Sequence, residues 1–185
     1  MALYTGKGDG GTTKLFKTPR GKRESKAQPV FEALGTVDEL NACVGWCRAG
    51  CTVDWFIKGT RISAVLLDVQ HHLFTIQAEL AGAGKAIPEE HVSTLEALIK
   101  NIEEELPEIK TFFVPGGTEL SARLDVARTV TRRAERRLVA LSEGGMELSP
   151  HTLAYANRLS SLLYALVRLV NERTGTEEQP PEYAE

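Results

Sequence analysis

The chain has 185 residues, of which 42% are hydrophobic and 25% are charged, and its formal net charge at pH 7 is -3. This balance is typical of a globular protein with one core, so we expect a single domain over 1–185. The net acidity argues against nucleic acid as a partner. No apolar run reaches membrane-spanning length and the N-terminus lacks a secretory apolar segment, so we expect a cytoplasmic protein without membrane association.

The N-terminal residues 1–35 predict an extended, loop-rich arm. Residues 2–5 favour a short strand or extended chain, and residues 6–11 match the pattern G-x-G-x-x-G. A dinucleotide-binding fold would need alternating strands and helices beyond that pattern, whereas the rest of this chain has helical periodicity. Glycines nevertheless let a backbone curl so that several N–H groups face one anion, and Lys7 and Lys14 add positive charge. The alternative is a flexible tail.

Apolar residues recur at helical spacing in five segments over 36–173. The first helix is expected to begin near Thr36, because Thr36 and Glu39 form a capping-box pattern. The other four are expected at about 61–80, from after Pro88 to Leu106, from the N-cap Thr118 to near Gly144, and from after Pro150 to 173. Residues 174–185 are acidic and proline-rich and are expected to be disordered. These patterns predict an all-α fold, a five-helix bundle with an extended glycine-rich N-terminal arm.

The fourth predicted helix carries the densest positive charge, since the stretch 112–137 holds six arginines. Arg128 and Arg132, one turn apart, lie beside the apolar seam of this helix, where two like charges repel each other. An anion between them would relieve that repulsion, because guanidinium binds two oxygens of a phosphate or carboxylate at once. The alternative is an ordinary helix with surface salt bridges to Asp125 and Glu135.

Histidines and cysteines carry weaker signals for a metal site. His71 and His72 follow Asp68 in one Asp-x-x-His pattern, whereas a di-iron bundle needs two Glu-x-x-His motifs and further glutamates. His72 falls near the apolar stripe and is expected to be a partly buried, hydrogen-bonded histidine. Three cysteines lie four residues apart on one helical face, which favours reduced core residues over zinc ligands. They are Cys43, Cys47 and Cys51.

Several polar residues have both a plain and a functional interpretation. Asp38 lies in the first turn of the first predicted helix. There it either interacts favourably with the helix dipole or pairs with an arginine of the fourth helix. Asn157 and Arg168 lie off the leucine face of the fifth helix, where the plain interpretation is a polar exterior face. The functional interpretation is that the Asn157 amide contacts a nucleotide. Arg133 and Arg137 are expected to be solvated.

Five motifs come in the order and spacing of one known family. They are T-G-K-G-D-G-G-T-T at 5–13, F-E-A-L-G-T-V-D-E-L-N at 31–41, F-F-V-P-G-G at 112–117, R-T-V-T-R-R-A-E-R-R at 128–137 and Y-A-N-R-L-S at 155–160. With these motifs in register, the chain resembles the PduO-type ATP:cob(I)alamin adenosyltransferases. Ser161 departs from the pattern, since the family more often has an acidic residue there.

The resemblance implies a homotrimer of five-helix bundles with active sites between neighbouring subunits. It implies transfer of the 5′-deoxyadenosyl group of ATP to the cobalt of cob(I)alamin, as in cob(I)yrinic acid a,c-diamide adenosyltransferases, with release of triphosphate. Mg²⁺ would be bound through ATP, with no metal ligand from protein side chains. A flavin reductase and an adenosylcobalamin-dependent enzyme are left open as partners.

The resemblance also implies roles for individual residues. ATP phosphates would be held by Thr5, Gly6, Lys7, Gly8, Thr13, Lys14 and Lys26. The nucleotide site would be completed from the neighbouring subunit by Arg132, Arg133, Ala134, Glu135, Arg136 and Asn157. The catalytic residues would be Arg132, Asp38, Arg128 and Phe112. Asp38 would pair with Arg128 across the interface, and Phe112 would press on the cobalamin face that normally carries the lower ligand.

The chemistry agrees with this set of residues. Cob(I)alamin is already a strong nucleophile, so no Ser-His-Asp or Cys-His arrangement is needed to activate one. The reaction needs alignment of C5′ with cobalt and stabilisation of charge on the leaving triphosphate. Two alternatives are a nucleotide-sensing helical module without catalysis, and an RNA-binding protein with a basic helix and steeply salt-dependent affinity.

Overall fold

Helices dominate the computed structural model, which describes residues 4–183. The helices are α1 (Pro29–Ala49), α2 (Ile62–Leu80), α3 (Glu89–Glu103), α4 (Glu119–Glu143) and α5 (Pro150–Arg173). Two short antiparallel pairs join β1 (Thr12–Thr13) to β2 (Glu24–Ser25) and β3 (Phe56–Ile57) to β4 (Thr60–Arg61). The prediction of five helices is confirmed. Ala2 and Leu3, half of the expected first strand, lie outside the described residues.

The start of α1 corrects the predicted boundary between the arm and the bundle. α1 begins at Pro29, about two turns before Thr36, because proline suits the first helical turn, where its missing N–H is not needed. Thr36 is buried inside the helix, and its hydroxyl donates to the carbonyl oxygen of Glu32 at 2.7 Å. The arm therefore ends at residue 28. Asp38 lies in the third turn, away from the positive end of the helix dipole.

α5 forms the centre of the bundle and is buried along most of its length. It packs against α3 and α4, α4 packs against α1, and α1 packs against α2. Leu159, Leu163 and Leu166 of α5 are fully buried, and each such leucine contributes about 2 kcal/mol relative to an exposed one. The arginine helix α4 is therefore held between α5 and α1. Among residues 4–183, no helix is both long and apolar enough to cross a membrane.

The turn that precedes α4 is fixed by its own side chains. Thr118 is the N-cap, as predicted, and its hydroxyl accepts from the Ser121 amide at 3.1 Å, while the Thr118 amide donates to the Ser121 hydroxyl at 2.8 Å. Gly117 has φ +115, and a Cβ atom there would lie 2.5 Å from Oδ1 of Asn171. Only glycine fits this position, since both the conformation and the space exclude a side chain.

The arm, residues 4–28, is docked on the end of α2. The Lys17 amide donates to the carbonyl oxygen of Ala81 at 3.2 Å, and Leu15 packs against the core. Gly82 has φ +79, and a Cβ atom there would lie 2.7 Å from Cβ of Lys17. A glycine at the end of α2 is thus needed for the arm to approach the bundle so closely.

Candidate functional site

A cleft of about 430 Å³ opens beside α4 and is here named the aromatic cleft. It is lined by Phe112, Phe113, Arg128, Arg132, Ser160, Ser161 and Tyr164. Phe112 lies in the segment between α3 and α4, here named the Phe112 loop (residues 107–117), and is 79% exposed. An exposed phenylalanine at the mouth of a cleft offers apolar surface to a ligand. The structure therefore brings Phe112, Arg128 and Arg132 together, as three of the four predicted catalytic residues.

A second cleft of about 320 Å³, here named the charged cleft, lies further along α4. It is lined by Arg132, Glu135, Arg136, Val139, Ala140, Glu143 and Asn157. Arg132 lines both clefts, and Arg132 and Arg136 are exposed. Arg132 thus lies between a cleft that contains three aromatic rings and a cleft with charged side chains, which suits a ligand or ligand pair with an apolar part and an anionic part.

Asn157 is held in a fixed orientation at the edge of the charged cleft. Its Nδ2 donates to Oε1 of Glu135 at 2.7 Å, and its Oδ1 accepts from Nη1 of Arg158 at 2.7 Å. Glu135 thus accepts a hydrogen bond from Asn157, and among residues 4–183 it forms no ion pair with an arginine of α4. Ala134 is 2% exposed and packs in the core, so its methyl group does not face the cleft.

Arg128 has a carboxylate partner within its own helix. Its Nε donates to Oδ1 of Asp125 at 2.9 Å, as the plain interpretation predicted, and Oδ2 of Asp125 accepts from the Gly116 amide at 3.2 Å. Asp38 is exposed and accepts from Nε2 of Gln77 at 3.2 Å. The pair of Asp38 and Arg128 is therefore not formed within one chain, and it stays a prediction for the assembly.

Arg133 and Arg137 correct the expectation that they are only solvated. Arg133 is ion-paired to Glu39, and Arg137 lies 3.4 Å from Glu32, so both arginines link α4 to α1. All four side chains are about half exposed, and such pairs contribute roughly 0–1 kcal/mol each. The expected contact of Arg133 with ATP would have to share or break its ion pair with Glu39.

The glycine loop of the arm is curled into two successive turns. The Asp9 amide donates to the Gly6 carbonyl at 3.2 Å and the Gly11 amide to the Gly8 carbonyl at 3.1 Å, with Gly6 and Gly11 at positive φ. Lys26 closes the loop, because its Nζ donates to the Gly8 carbonyl oxygen at 3.3 Å and its backbone amide donates to the Gly11 carbonyl oxygen at 2.9 Å. The curl of the loop is therefore held by its own backbone hydrogen bonds and by the Lys26 ammonium group at the Gly8 carbonyl.

The remaining arm residues are arranged around this loop. Thr13 is paired with Glu24 in the β1–β2 hairpin, and Thr5, Lys7 and Lys14 are exposed. Within residues 4–183, no hydrogen bond or ion pair joins the arm to the arginines of α4 or to Asn157. The two predicted halves of the nucleotide site are therefore not assembled in a single chain.

Arg168 is the polar residue whose position sequence reasoning missed. It was expected on an exterior face, yet it is 5% exposed. Its Nε donates to Oε2 of Glu178 at 3.1 Å and its Nη1 to the Pro107 carbonyl at 3.2 Å, while its guanidinium lies 5.5 Å from the Phe113 ring centroid. Part of the tail that was expected to be disordered thus makes specific contacts. The available signal was an arginine within the apolar run A-L-V-R-L-V.

His72 and the three cysteines pack in or beside the core. Nδ1 of His72 lies 2.9 Å from the hydroxyl of the buried Tyr155, so the expectation of a hydrogen-bonded histidine is confirmed. All three cysteines are free, and burial raises the pKa of Cys47 to about 12, which keeps the thiol protonated and unreactive. Among the described residues, no group of histidine, cysteine, aspartate and glutamate side chains is arranged to hold a metal ion.

Known proteins resemble this chain over most of its length. Residues 3–170 match the family model described as cobalamin adenosyltransferase. The chain is 42% identical over 177 residues to the corrinoid adenosyltransferase PduO of Citrobacter freundii, covering 91% of this chain but 49% of that protein. It is 40% identical over 179 residues to the corrinoid adenosyltransferase of Bacillus subtilis, covering 95% of this chain and 89% of that protein. The chain thus spans about half the length of the PduO relative and nearly all of the other.

Solved structures show the same likeness in three dimensions. A phenylalanine-to-alanine variant of a PduO-type ATP:corrinoid adenosyltransferase from Lactobacillus reuteri, complexed with cobalamin and ATP, matches with a TM-score of 0.88 and 30% identity, covering 98% of this chain and 100% of that one. An arginine-to-lysine variant complexed with ATP matches with a TM-score of 0.84 and 32% identity, covering 97% and 100%. On these matches of sequence and structure, the chain belongs to the cobalamin adenosyltransferase family.

Proposed function

We propose that this chain transfers the 5′-deoxyadenosyl group of ATP to the cobalt of cob(I)alamin. An electron pair of Co(I) forms the bond to C5′, the C5′–O bond breaks, and triphosphate leaves with the electrons of that bond. The observation that carries the proposal is the position of Arg132, which lines both the aromatic and the charged cleft. Family membership supports it, as do the Lactobacillus reuteri variant structures that hold cobalamin and ATP.

The aromatic cleft is the proposed place of the corrinoid. Phe112 is exposed there beside Phe113 and Tyr164, and these rings offer an apolar surface from which a bound corrinoid would displace water. An electron-rich Co(I) centre is not stabilised by an axial donor, so an apolar ring against the lower face favours the reduced metal. The chain supplies no base in this scheme, because the metal is itself the nucleophile.

The charged cleft is the proposed place of the triphosphate. Arg132 and Arg136 present guanidinium groups there, which bind phosphate oxygens in pairs and offset the charge that develops on the leaving group. The glycine loop of a neighbouring subunit, with Lys7, Lys14 and Lys26, would add amide and ammonium donors. Mg²⁺ would be bound through the phosphates rather than by protein side chains.

A homotrimer with shared sites is the proposed assembly. The arm does not reach the arginines of its own α4, so a complete site needs another copy of the chain. Apolar side chains are exposed on the neighbouring helices α1 and α2, namely Trp46 (51%), Leu67 (37%) and Phe74 (61%), and such a surface suits contact between subunits. Sedimentation measurements should give the mass of three chains, and a monomer at micromolar concentration would contradict the assembly.

The activity is tested by incubating the chain with Mg-ATP and chemically reduced cobalamin and recording the spectrum of adenosylcobalamin. Product should form with one triphosphate released per adenosyl group transferred. Binding of ATP without product would favour the nucleotide-sensing module instead, and affinity for RNA that falls steeply with salt would favour the nucleic-acid alternative. A reductase partner, an adenosylcobalamin-dependent partner and the cytoplasmic location stay predictions.

A further inference from the structure

Arg168 of α5 lies beneath the Phe112 loop and contacts three residues in two other segments. Its side chain is 6% exposed. It is ion-paired to Glu178 in the tail (residues 174–183), it donates to the carbonyl of Pro107 at the start of the loop, and its guanidinium faces the ring of Phe113. A guanidinium removed from water needs such partners, because an unpaired buried charge is costly. The three partners therefore make Arg168 a junction between helix, loop and tail.

Asn171, almost one turn further along α5, makes a second junction of the same kind. It is 3% exposed, and its Nδ2 lies 3.3 Å from the Gly116 carbonyl oxygen and 3.4 Å from Oε1 of Glu178. The tail also reaches the loop directly, since the Val114 amide donates to the Gln179 carbonyl at 2.8 Å. The carboxylate of Glu178 thus binds both Arg168 and Asn171, through one oxygen each.

These contacts hold a loop that has no helix or strand of its own. The Phe112 loop is fixed at Pro107, Phe113, Val114 and Gly116, while Phe112 between these points stays exposed at the aromatic cleft. Ordering a loop in advance removes conformational entropy that ligand binding would otherwise have to overcome. The contacts thus fix the backbone on each side of the proposed corrinoid contact.

We infer that Arg168 and Glu178 are positioning residues for the corrinoid, which make the C-terminal tail part of the framework of the aromatic cleft. This inference rests on the proposed function. Neither residue lines the cleft: Arg168 acts through the Pro107 carbonyl and the ring of Phe113, and Glu178 acts through Arg168 and Asn171. Their loss should therefore affect corrinoid binding and the adenosylation rate, and should leave the charged cleft and the affinity for ATP unchanged.

The test compares Glu178→Ala with Glu177→Ala in the full chain. Glu177 is the exposed neighbour of Glu178 in the same tail, so the two variants lose the same charge, but only Glu178→Ala removes the contacts to Arg168 and Asn171. Hydrogen exchange at the Val114 amide measures the stability of the loop independently of catalytic activity. In Glu178→Ala this exchange should accelerate about tenfold or more, and the KM for corrinoid should rise roughly fivefold or more at an unchanged KM for ATP. Glu177→Ala should match the wild type in both.

The outcomes separate this inference from the proposed function. Unchanged exchange at Val114 in Glu178→Ala would overturn the role of the tail, whether or not the chain is an adenosyltransferase. Faster exchange with an unchanged KM for corrinoid would show that the tail stabilises the loop without positioning the ligand, which also overturns the inference. A wild-type chain that forms no adenosylcobalamin would refute the proposed function itself. Arg168→Lys, which keeps the charge but loses the planar fork, should show the same direction of change as Glu178→Ala.

Discussion

Asp125 and Arg128 lie one turn apart on α4 and form an ion pair at 2.9 Å within the single chain. The residue Asp125 is 6% exposed, and its carboxylate also accepts from the Gly116 amide at 3.2 Å, so it connects the arginine helix to the Phe112 loop. A partner carboxylate from another subunit, such as Asp38, would have to share Arg128 with Asp125. The orientation of this arginine is therefore coupled to the loop that carries Phe112.

Replacing Arg132 should abolish most of the adenosylation. Arg132→Ala removes the guanidinium that lines both clefts, so we expect the rate to fall by about two orders of magnitude or more, equal to at least ~2.7 kcal/mol of barrier. The measurement is the rate of adenosylcobalamin formation at saturating substrates, with the oligomer mass unchanged. Arg137→Ala is the matched control, because Arg137 pairs with Glu32 of α1 and should leave the rate close to wild type. Near wild-type turnover in Arg132→Ala would refute its role.

Phe112 should control the coordination of cobalt rather than the binding of ATP. Phe112→Ala removes the exposed ring at the aromatic cleft, so the lower axial ligand can return, and the four-coordinate Co(II) species should be lost from the visible spectrum. ATP affinity, measured by calorimetry, should stay the same. Phe16→Ala is a suitable control, since Phe16 is also 79% exposed but lies in the arm. An unchanged Co(II) spectrum in Phe112→Ala would count against the proposal.

Asp38 should act between subunits rather than within the chain. Among residues 4–183 its carboxylate accepts one side-chain hydrogen bond, from Gln77. An asparagine can also accept that bond, so Asp38→Asn should change the stability of the folded chain by about 0.5 kcal/mol or less. Adenosylation and the sedimentation-derived trimer affinity should both weaken, because the charge proposed to pair with Arg128 of a neighbouring subunit is lost. Gln77→Ala removes the internal hydrogen bond and keeps that charge, so it should retain both properties. A trimer of wild-type affinity in Asp38→Asn would contradict the predicted pair.

His72 should make the stability depend on pH between about 6.5 and about 4. Burial lowers the pKa of His72 from 6.5 to about 4, helped by His91, whose ring is stacked at 3.8 Å, and by His71, and opposed by Asp68. In this window the unfolded chain binds a proton that the native ring does not, so the free energy of unfolding falls as the pH falls. Since the ring is half-buried, we expect a loss on the order of 1 kcal/mol.

Urea unfolding at pH 7 and pH 4.5 measures this dependence. His72→Gln should be less stable at pH 7 but should lose less stability on acidification than the wild type, because it has no titrating ring. His71→Gln replaces the exposed neighbour and should keep the wild-type dependence. Equal losses in the wild type and His72→Gln would show that other groups cause the acid sensitivity.

Local chemistry made much of the fold predictable. Pro88, Pro150 and the N-cap Thr118 mark where α3, α5 and α4 begin, because their effects involve only neighbouring residues. The predicted helix start at Thr36 was wrong for a related reason. A threonine hydroxyl can cap a helix or donate to the carbonyl oxygen four residues earlier, and the local sequence pattern is similar in both cases. The family could also be predicted from the sequence, because five motifs occur in its order and spacing, and this prediction is confirmed.

The sequence by itself determined the helices, the glycine-rich turns, the arginine row of α4 and the family. Only the tertiary structure decided which charges meet: Arg133 with Glu39, Asn157 with Glu135, and the buried Arg168 with Glu178. The physical reason is that helix periodicity and caps depend on residues within a few positions. The partner of a charged side chain depends instead on which distant segments pack together, and no local pattern encodes that choice.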